Sequence, residues 1–162
     1  YQFIDRDLDY DIQYLPLEKD WGGDFPGRIT KGTALAVKAK ALLARRQWSA
    51  ALAAAEQIIN SQQYDLSVPY HEVFTEAREN SRESVFEIQA FYDQNNTQLG
   101  LNYARHQGVR GSGDRDLGWG WNVPNPILIG AFEDGDPRRD VTVLYSGRPH
   151  APYNEVLQAG PP

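Results

Sequence analysis

Three histidines, His71, His106 and His150, are the first side chains that could act as general bases or metal ligands. No two of them stand at metal-ligand spacing, and no His-Glu-x-x-His is present. The Gly-x-Ser-x-Gly elbow of many serine hydrolases is missing too. Hydrolysis of a glycosidic bond needs two carboxylates flanking it, and Asp114, Asp116, Glu133, Asp134 and Asp136 supply candidates. Aspartates in Gly-rich stretches also close turns on their own backbone, which accounts for them without catalysis. The run Gly111-Ser112-Gly113-Asp114-Arg115-Asp116 suggests a cation loop, but the twelfth position from Asp114 is Asn125 where a calcium loop needs Glu. Asp134-Gly135-Asp136 does not continue the loop pattern either, so neither a metal nor a cofactor is expected. The Gly-rich run does not join a clear strand to a clear helix, as phosphate cradling requires. Asn95-Asn96-Thr97 matches a glycosylation acceptor, a short and common pattern.

The aromatic residues point to a different chemistry. Tyr92, Tyr103, Trp119 and Trp121 sit in or beside a segment, 93–122, rich in Gly, Asn and Gln. Sugar rings present apolar faces that stack on flat aromatic rings, while amides and guanidinium groups bond their hydroxyls. Asn95, Gln98, Asn102, Arg105, Arg110 and Asn122 lie close by in sequence. Tyr103 and Trp119 rank first as ligand contacts, with Arg110 as a hydroxyl-bonding group and Tyr92, Trp121 and Asn102 behind them. Trp121 ranks lower because Pro124 and the segment after it could hold its ring in a core. The competing reading is that these rings only pin a long loop.

These candidates need a scaffold, and composition bounds it. A chain of 162 residues with 41% hydrophobic and 23% charged content is long enough for one folded domain. The net charge of −6 argues against a nucleic-acid partner. Without cysteine there is no disulfide and no thiolate nucleophile. No apolar run approaches the roughly 18 residues that span a bilayer. Opening on Tyr1 rather than Met is what a mature product or an excised piece would show.

Periodicity gives mainly helix. Ile4, Leu8, Ile12 and Leu15 share one helical face over 1–15, and Pro16 ends the pattern, with Asp5, Asp7, Asp9 and Asp11 mostly toward water. A second helix is expected over 30–46, capped by Thr30, with Leu35, Ala39, Leu42 and Leu43 inward and Lys31, Lys38 and Arg45 on a solvated face. A third runs over 48–61, where Trp48, Ala51, Leu52, Ala55, Ile58 and Ile59 follow the helical repeat. The link between the last two is so short that they must pack antiparallel, as a tetratricopeptide-like pair over 30–61 burying Trp48 and Leu52 against the second helix. The segments 84–90 and 141–145 alternate like short strands, 127–133 reads as a short helix, 20–28 and 93–122 as loop, and the tail from Gly147 as loose.

Three motifs then fall in order. Gly27-Arg28-Ile29-Thr30-Lys31-Gly32-Thr33-Ala34 leads into the pair that contains Trp48-Ser49-Ala50-Ala51. Asn80-Ser81-Arg82-Glu83-Ser84-Val85-Phe86-Glu87-Ile88 follows, then Gly118-Trp119-Gly120-Trp121-Asn122-Val123-Pro124 and Phe132-Glu133-Asp134-Gly135-Asp136-Pro137-Arg138-Arg139. In this order, over about residues 4 to 146, the chain resembles the central part of SusD/RagB-family proteins. The resemblance implies an α/α superhelix of tetratricopeptide-like hairpins with long irregular loops and one or two short strands. It implies a single fragment of such a domain over 1–162, with 93–146 as the ligand surface. It further implies a lipoprotein on the outer face of the outer membrane, capping a TonB-dependent, SusC-like transporter and capturing oligosaccharides or peptides without catalysis or a cofactor. The lipidated cysteine of the family has no counterpart in this chain, so an anchor would belong to a longer parent. The alternatives are a tetratricopeptide-type adaptor that binds protein or peptide and, third, a glycoside hydrolase.

Overall fold

The computed structural model describes residues 1–21, 27–90, 95, 102–111, 116–150 and 155–156. Helix dominates them. In chain order the elements are α1 (Gln2–Tyr14), α2 (Glu18–Trp21), α3 (Lys31–Ala44), α4 (Trp48–Asn60), a 3₁₀ turn (Glu76–Arg78), α5 (Asn102–Gln107), α6 (Pro126–Gly130), α7 (Pro137–Thr142), β1 (Pro149–His150) and β2 (Glu155–Val156). The chain divides into two compact units, Tyr1–Gln89 and Ala90–Pro162.

The first unit is built on three helices. Leu15 leaves helical geometry at the end of α1, as a residue before proline must. Thr30 and Thr33 form a reciprocal capping box that opens α3, each hydroxyl accepting from the other's backbone N–H at 3.2–3.3 Å. The start of α3 and the end of α4 line one cleft together, so the two run antiparallel. Leu35 and Leu42 of α3 and Ala51 and Ala54 of α4 form the buried core, with Ile12, Ala39 and Ile58 packed around them.

Two expectations about these helices are corrected. Trp48 and Leu52 do not pack into the pair; they are 61% and 59% exposed. Apolar residues run almost all round α4, and the face chosen against α3 is the one with the small residues, Ala51 and Ala54, which allow the closest backbone approach. Trp48, Leu52 and Ile59 are left on the adjacent face. Nor do Lys38 and Arg45 form a solvated stripe. Arg45 grips Asp5 of α1 with two hydrogen bonds of 2.7 Å, and Lys38 pairs with Asp9. The seven-residue spacing on α3 thus matches a four-residue spacing on α1, and Asp5 and Asp9 face a partner helix.

The capped end of α3 also fixes the chain that follows. The Thr33 hydroxyl donates to the Val85 carbonyl at 3.0 Å, and the Thr30 and Tyr64 hydroxyls share a bond of 3.0 Å. Gly32 is buried here because a Cβ on it would stand 2.4 Å from the Tyr64 hydroxyl. The segment 84–90 is not a strand. Its side chains fold back locally: Glu87 accepts from Ser84 and from the Asn80 N–H, and Gln89 exchanges amide bonds of 3.0 Å with Asn80.

In the second unit, 141–145 is likewise no strand. Asp136 caps α7 and Pro137 occupies its first turn, so the helix forms and runs to Thr142. The segment expected as loop over 93–122 contains α5. Asn125 caps α6, which starts one residue before the helix expected over 127–133 and ends at Gly130. In the tail, β1 and β2 pair antiparallel, Pro149 with Val156 and His150 with Glu155. The part of the loop expected over 20–28 that spans 22–26 lies outside the described residues.

Candidate functional site

A six-residue helix such as α5 ends with carbonyls that have no partner within the helix. The segment 117–121 supplies those partners. Trp119 N–H donates to the Arg105 carbonyl at 2.9 Å, Trp121 N–H to His106 at 2.8 Å and Gly120 N–H to Gly108 at 2.9 Å. Leu117 and Gly118 N–H both reach the Val109 carbonyl, at 2.9 and 3.0 Å. This approach requires glycine on both sides. A Cβ on Gly118 would stand 2.2 Å from the Arg105 carbonyl oxygen, and one on Gly108 would stand 2.2 Å from that of Leu117.

The backbone ladder places four side chains in a stacked array. The Arg105 guanidinium lies over the Trp119 ring, 5.7 Å from its centroid. Trp119 and Trp121 lie 6.1 Å apart at 28°. His106 lies parallel to Trp121, 5.1 Å away at 4°. The indoles remain accessible, Trp119 at 44% and Trp121 at 58%. Arg110 flanks them: its Cβ is 3.0 Å from where a side chain on Gly120 would begin. An exposed platform of flat rings with the Arg105 guanidinium over one of them can hold a polyhydroxylated ring by its apolar face and bond its oxygens.

The sequence candidates are thus partly assembled. Trp119, Trp121 and Arg110 come together. Trp121 is more exposed than Trp119, so its ring is not held in a core. Tyr103 lies on α5, exposed, its hydroxyl accepting from Gln107 Nε2 at 2.9 Å, and it has no ring contact with either indole. Asn102 opens α5, and Tyr92 lies outside the described residues. The stacking role of His106 and the Gly108–Gly118 contact were missed in the sequence. The alternation Gly-Trp-Gly-Trp carried a signal, since extended chain puts residues two apart on one side.

The carboxylates do not converge. Asp136 is committed to Arg138 and to capping α7; the Arg138 side chain holds its carboxyl below the ordinary range, the opposite of what a general acid needs. Glu133 and Asp134 are exposed, and Asp114 lies outside the described residues. Among the described residues no three His, Asp or Glu side chains cluster so as to hold a metal ion. The carboxyl that burial does push up is Glu18, in the first unit, with Tyr64 and Arg82 pulling the other way. Tyr64 lines the cleft of about 310 Å³ with Leu17, Lys31, Leu35, Gln57 and Ile58.

No protein-family model, curated protein or solved structure matches this chain. The resemblance to SusD/RagB proteins rests on the ordered motifs alone.

Proposed function

We propose that the chain binds oligosaccharides without transforming them, as part of a SusD/RagB-like protein on the outer face of the outer membrane that delivers glycans to a TonB-dependent, SusC-like transporter. The observation that carries this reading is the exposed array Arg105–Trp119–Trp121–His106. Sugar-binding surfaces need flat apolar rings beside fixed hydrogen-bonding groups, and this array offers both. In this reading the α3–α4 pair is one tetratricopeptide-like hairpin of a larger α/α superhelix. A lipid anchor would belong to the longer parent. Incubation with a panel of oligosaccharides should leave every one intact while some bind. Turnover abolished by Asp116→Asn or Glu133→Gln would overturn the non-catalytic reading.

One observation favours a second reading, a tetratricopeptide-type adaptor for protein or peptide. Trp48, Leu52 and Ile59 form an exposed apolar face on α4, and such faces mark protein contacts. In the SusD/RagB reading the same face packs on a neighbouring helix pair. Binding of a peptide that Leu52→Asp abolishes, with no sugar bound by the same chain, would favour the adaptor.

A further inference from the structure

Among the described residues, six arginines pair with a carboxylate: Arg6, Arg45, Arg78, Arg82, Arg138 and Arg139. Arg105 and Arg110, like Arg46 and Arg148, pair with none among the described residues, although the chain carries a net charge of −6. Asp116, the acid next to the segment that bears the indoles, is exposed and makes no ion pair with either. The Arg105 guanidinium is held over the Trp119 ring, 5.7 Å from its centroid, within the platform itself. Arg110 belongs to the same side of the backbone ladder as Arg105, and its Cβ lies beside Gly120, which stands between the two indoles in sequence. A guanidinium held against an aromatic face keeps its N–H groups free for a planar anion.

We infer that the platform is selective for acidic oligosaccharides, with Trp119 and Trp121 taking sugar-ring faces and Arg105 and Arg110 taking a carboxylate or sulfate on the same or the next ring. This rests on the glycan-binding reading above and names the substrate class of that site. Net negative charge elsewhere on the chain does not oppose it, because screening confines the attraction to within about 10 Å of the arginines at ordinary salt.

The test is calorimetric titration of the 162-residue chain with three probes of equal length. These are an oligogalacturonate (carboxylate only), a sulfated chondroitin oligosaccharide (both groups) and an uncharged malto-oligosaccharide. Each is titrated into the unaltered chain, Arg105→Gln, Arg110→Gln and Trp119→Ala, with near-ultraviolet circular dichroism as the folding control. At least one acidic probe should bind about tenfold more tightly than the neutral one, since a hydrogen-bonded charge pair is worth about that factor or more. Arg105→Gln and Arg110→Gln should each weaken the acidic probe by more than they weaken the neutral one and so remove most of that advantage. Oligogalacturonate binding as well as the sulfated probe assigns the carboxylate; binding only of the latter assigns sulfate. Equal affinity for neutral and acidic probes, with Trp119→Ala weakening both, would overturn the inference and leave the glycan reading standing. Binding of none of the three would sink both. An acidic preference that survives both arginine variants would place the anion elsewhere and overturn the inference.

Discussion

At Gly118 an added methyl group would meet the Arg105 carbonyl oxygen at 2.2 Å, so Gly118→Ala must lift the Trp119 segment away from α5. The paired residue Gly108 has the same constraint, and no rotamer change relieves it because the obstacles are backbone atoms. A sequence shows that these positions are glycine; it does not show that two glycines thirty atoms apart along the chain touch. Charged residues tell a similar story. The repeat of Lys38 and Arg45 was legible, but not the helix that the repeat faces, since periodicity gives a face and not its neighbour. Asp5 is the consequence: the Arg45 guanidinium hydrogen-bonded to it holds its carboxyl below the ordinary 3.8. A depressed folded-state value means that this contribution is complete above 3.8 and is lost as pH falls through the lower folded value. Asp65, bonded by Ser67, and Asp136, bonded by Arg138, share the sign. Asp5→Asn should therefore lower Tm at neutral pH, and the difference from the unaltered chain should shrink as pH falls below 3.8 and through the lower folded value. A difference that stays constant through that fall would show that the Asn variant acts by packing rather than by charge.

The boundaries at Pro16 and Thr30 were legible because prolines and caps are local signals, whereas the caps of α6 and α7, Asn125 and Asp136, went unread and α2, α5 and α7 were not expected. Which apolar face of α4 is buried was not legible, because both faces satisfy the same period. The outcome is testable by paired substitutions. Leu35 is 4% exposed, and Leu35→Ala should cost about 2–5 kcal/mol in denaturant unfolding of this chain. Leu52→Ala should change stability by no more than about 0.5 kcal/mol. A large loss at Leu52 would mean that the adjacent face of α4, with Trp48 and Ile59, is the packed one. The strand readings of 84–90 and 141–145 failed for a common reason: alternation is only half of a strand, and the other half is a partner with free N–H and C=O groups. The first segment instead bonds to side chains of its own neighbourhood, and the second begins inside α7, which its cap at Asp136 carries to Thr142. Glu18 on α2 gives a pH signature opposite to that of Asp5. Burial raises its carboxyl above the ordinary 4.5, and Oε2 is buried without a partner. A raised carboxyl costs stability above its folded value, and the cost vanishes as pH falls below 4.5. Glu18→Gln should raise Tm at neutral pH and give no gain near pH 4, as read by thermal melts in a buffer series. Destabilisation at neutral pH would show that the charged carboxylate has a partner that matters more than its desolvation.

Across the molecule, burial and the candidate site are separated by unit. Leu8, Ala34, Leu35, Leu42, Ala51 and Ala54 are buried in the first unit, and Val143 is the buried hydrophobic residue among those described in the second. The second unit instead holds its site through a backbone ladder between α5 and 117–121. Composition and periodicity revealed the helical scaffold because burial writes a period into the sequence. They revealed the site only as a neighbourhood of aromatics, because a ladder of main-chain bonds leaves no side-chain pattern beyond its glycines. The decisive measurement is affinity for an oligosaccharide that binds the unaltered chain, compared across Trp119→Ala, Gly118→Ala and Trp48→Ala, each checked for retained helix by circular dichroism. Loss of binding in the first two and retention in the third is the expected result. Unchanged affinity in Trp119→Ala and Gly118→Ala, with loss in Trp48→Ala, would place binding on the exposed face of α4 and contradict the assignment of the site.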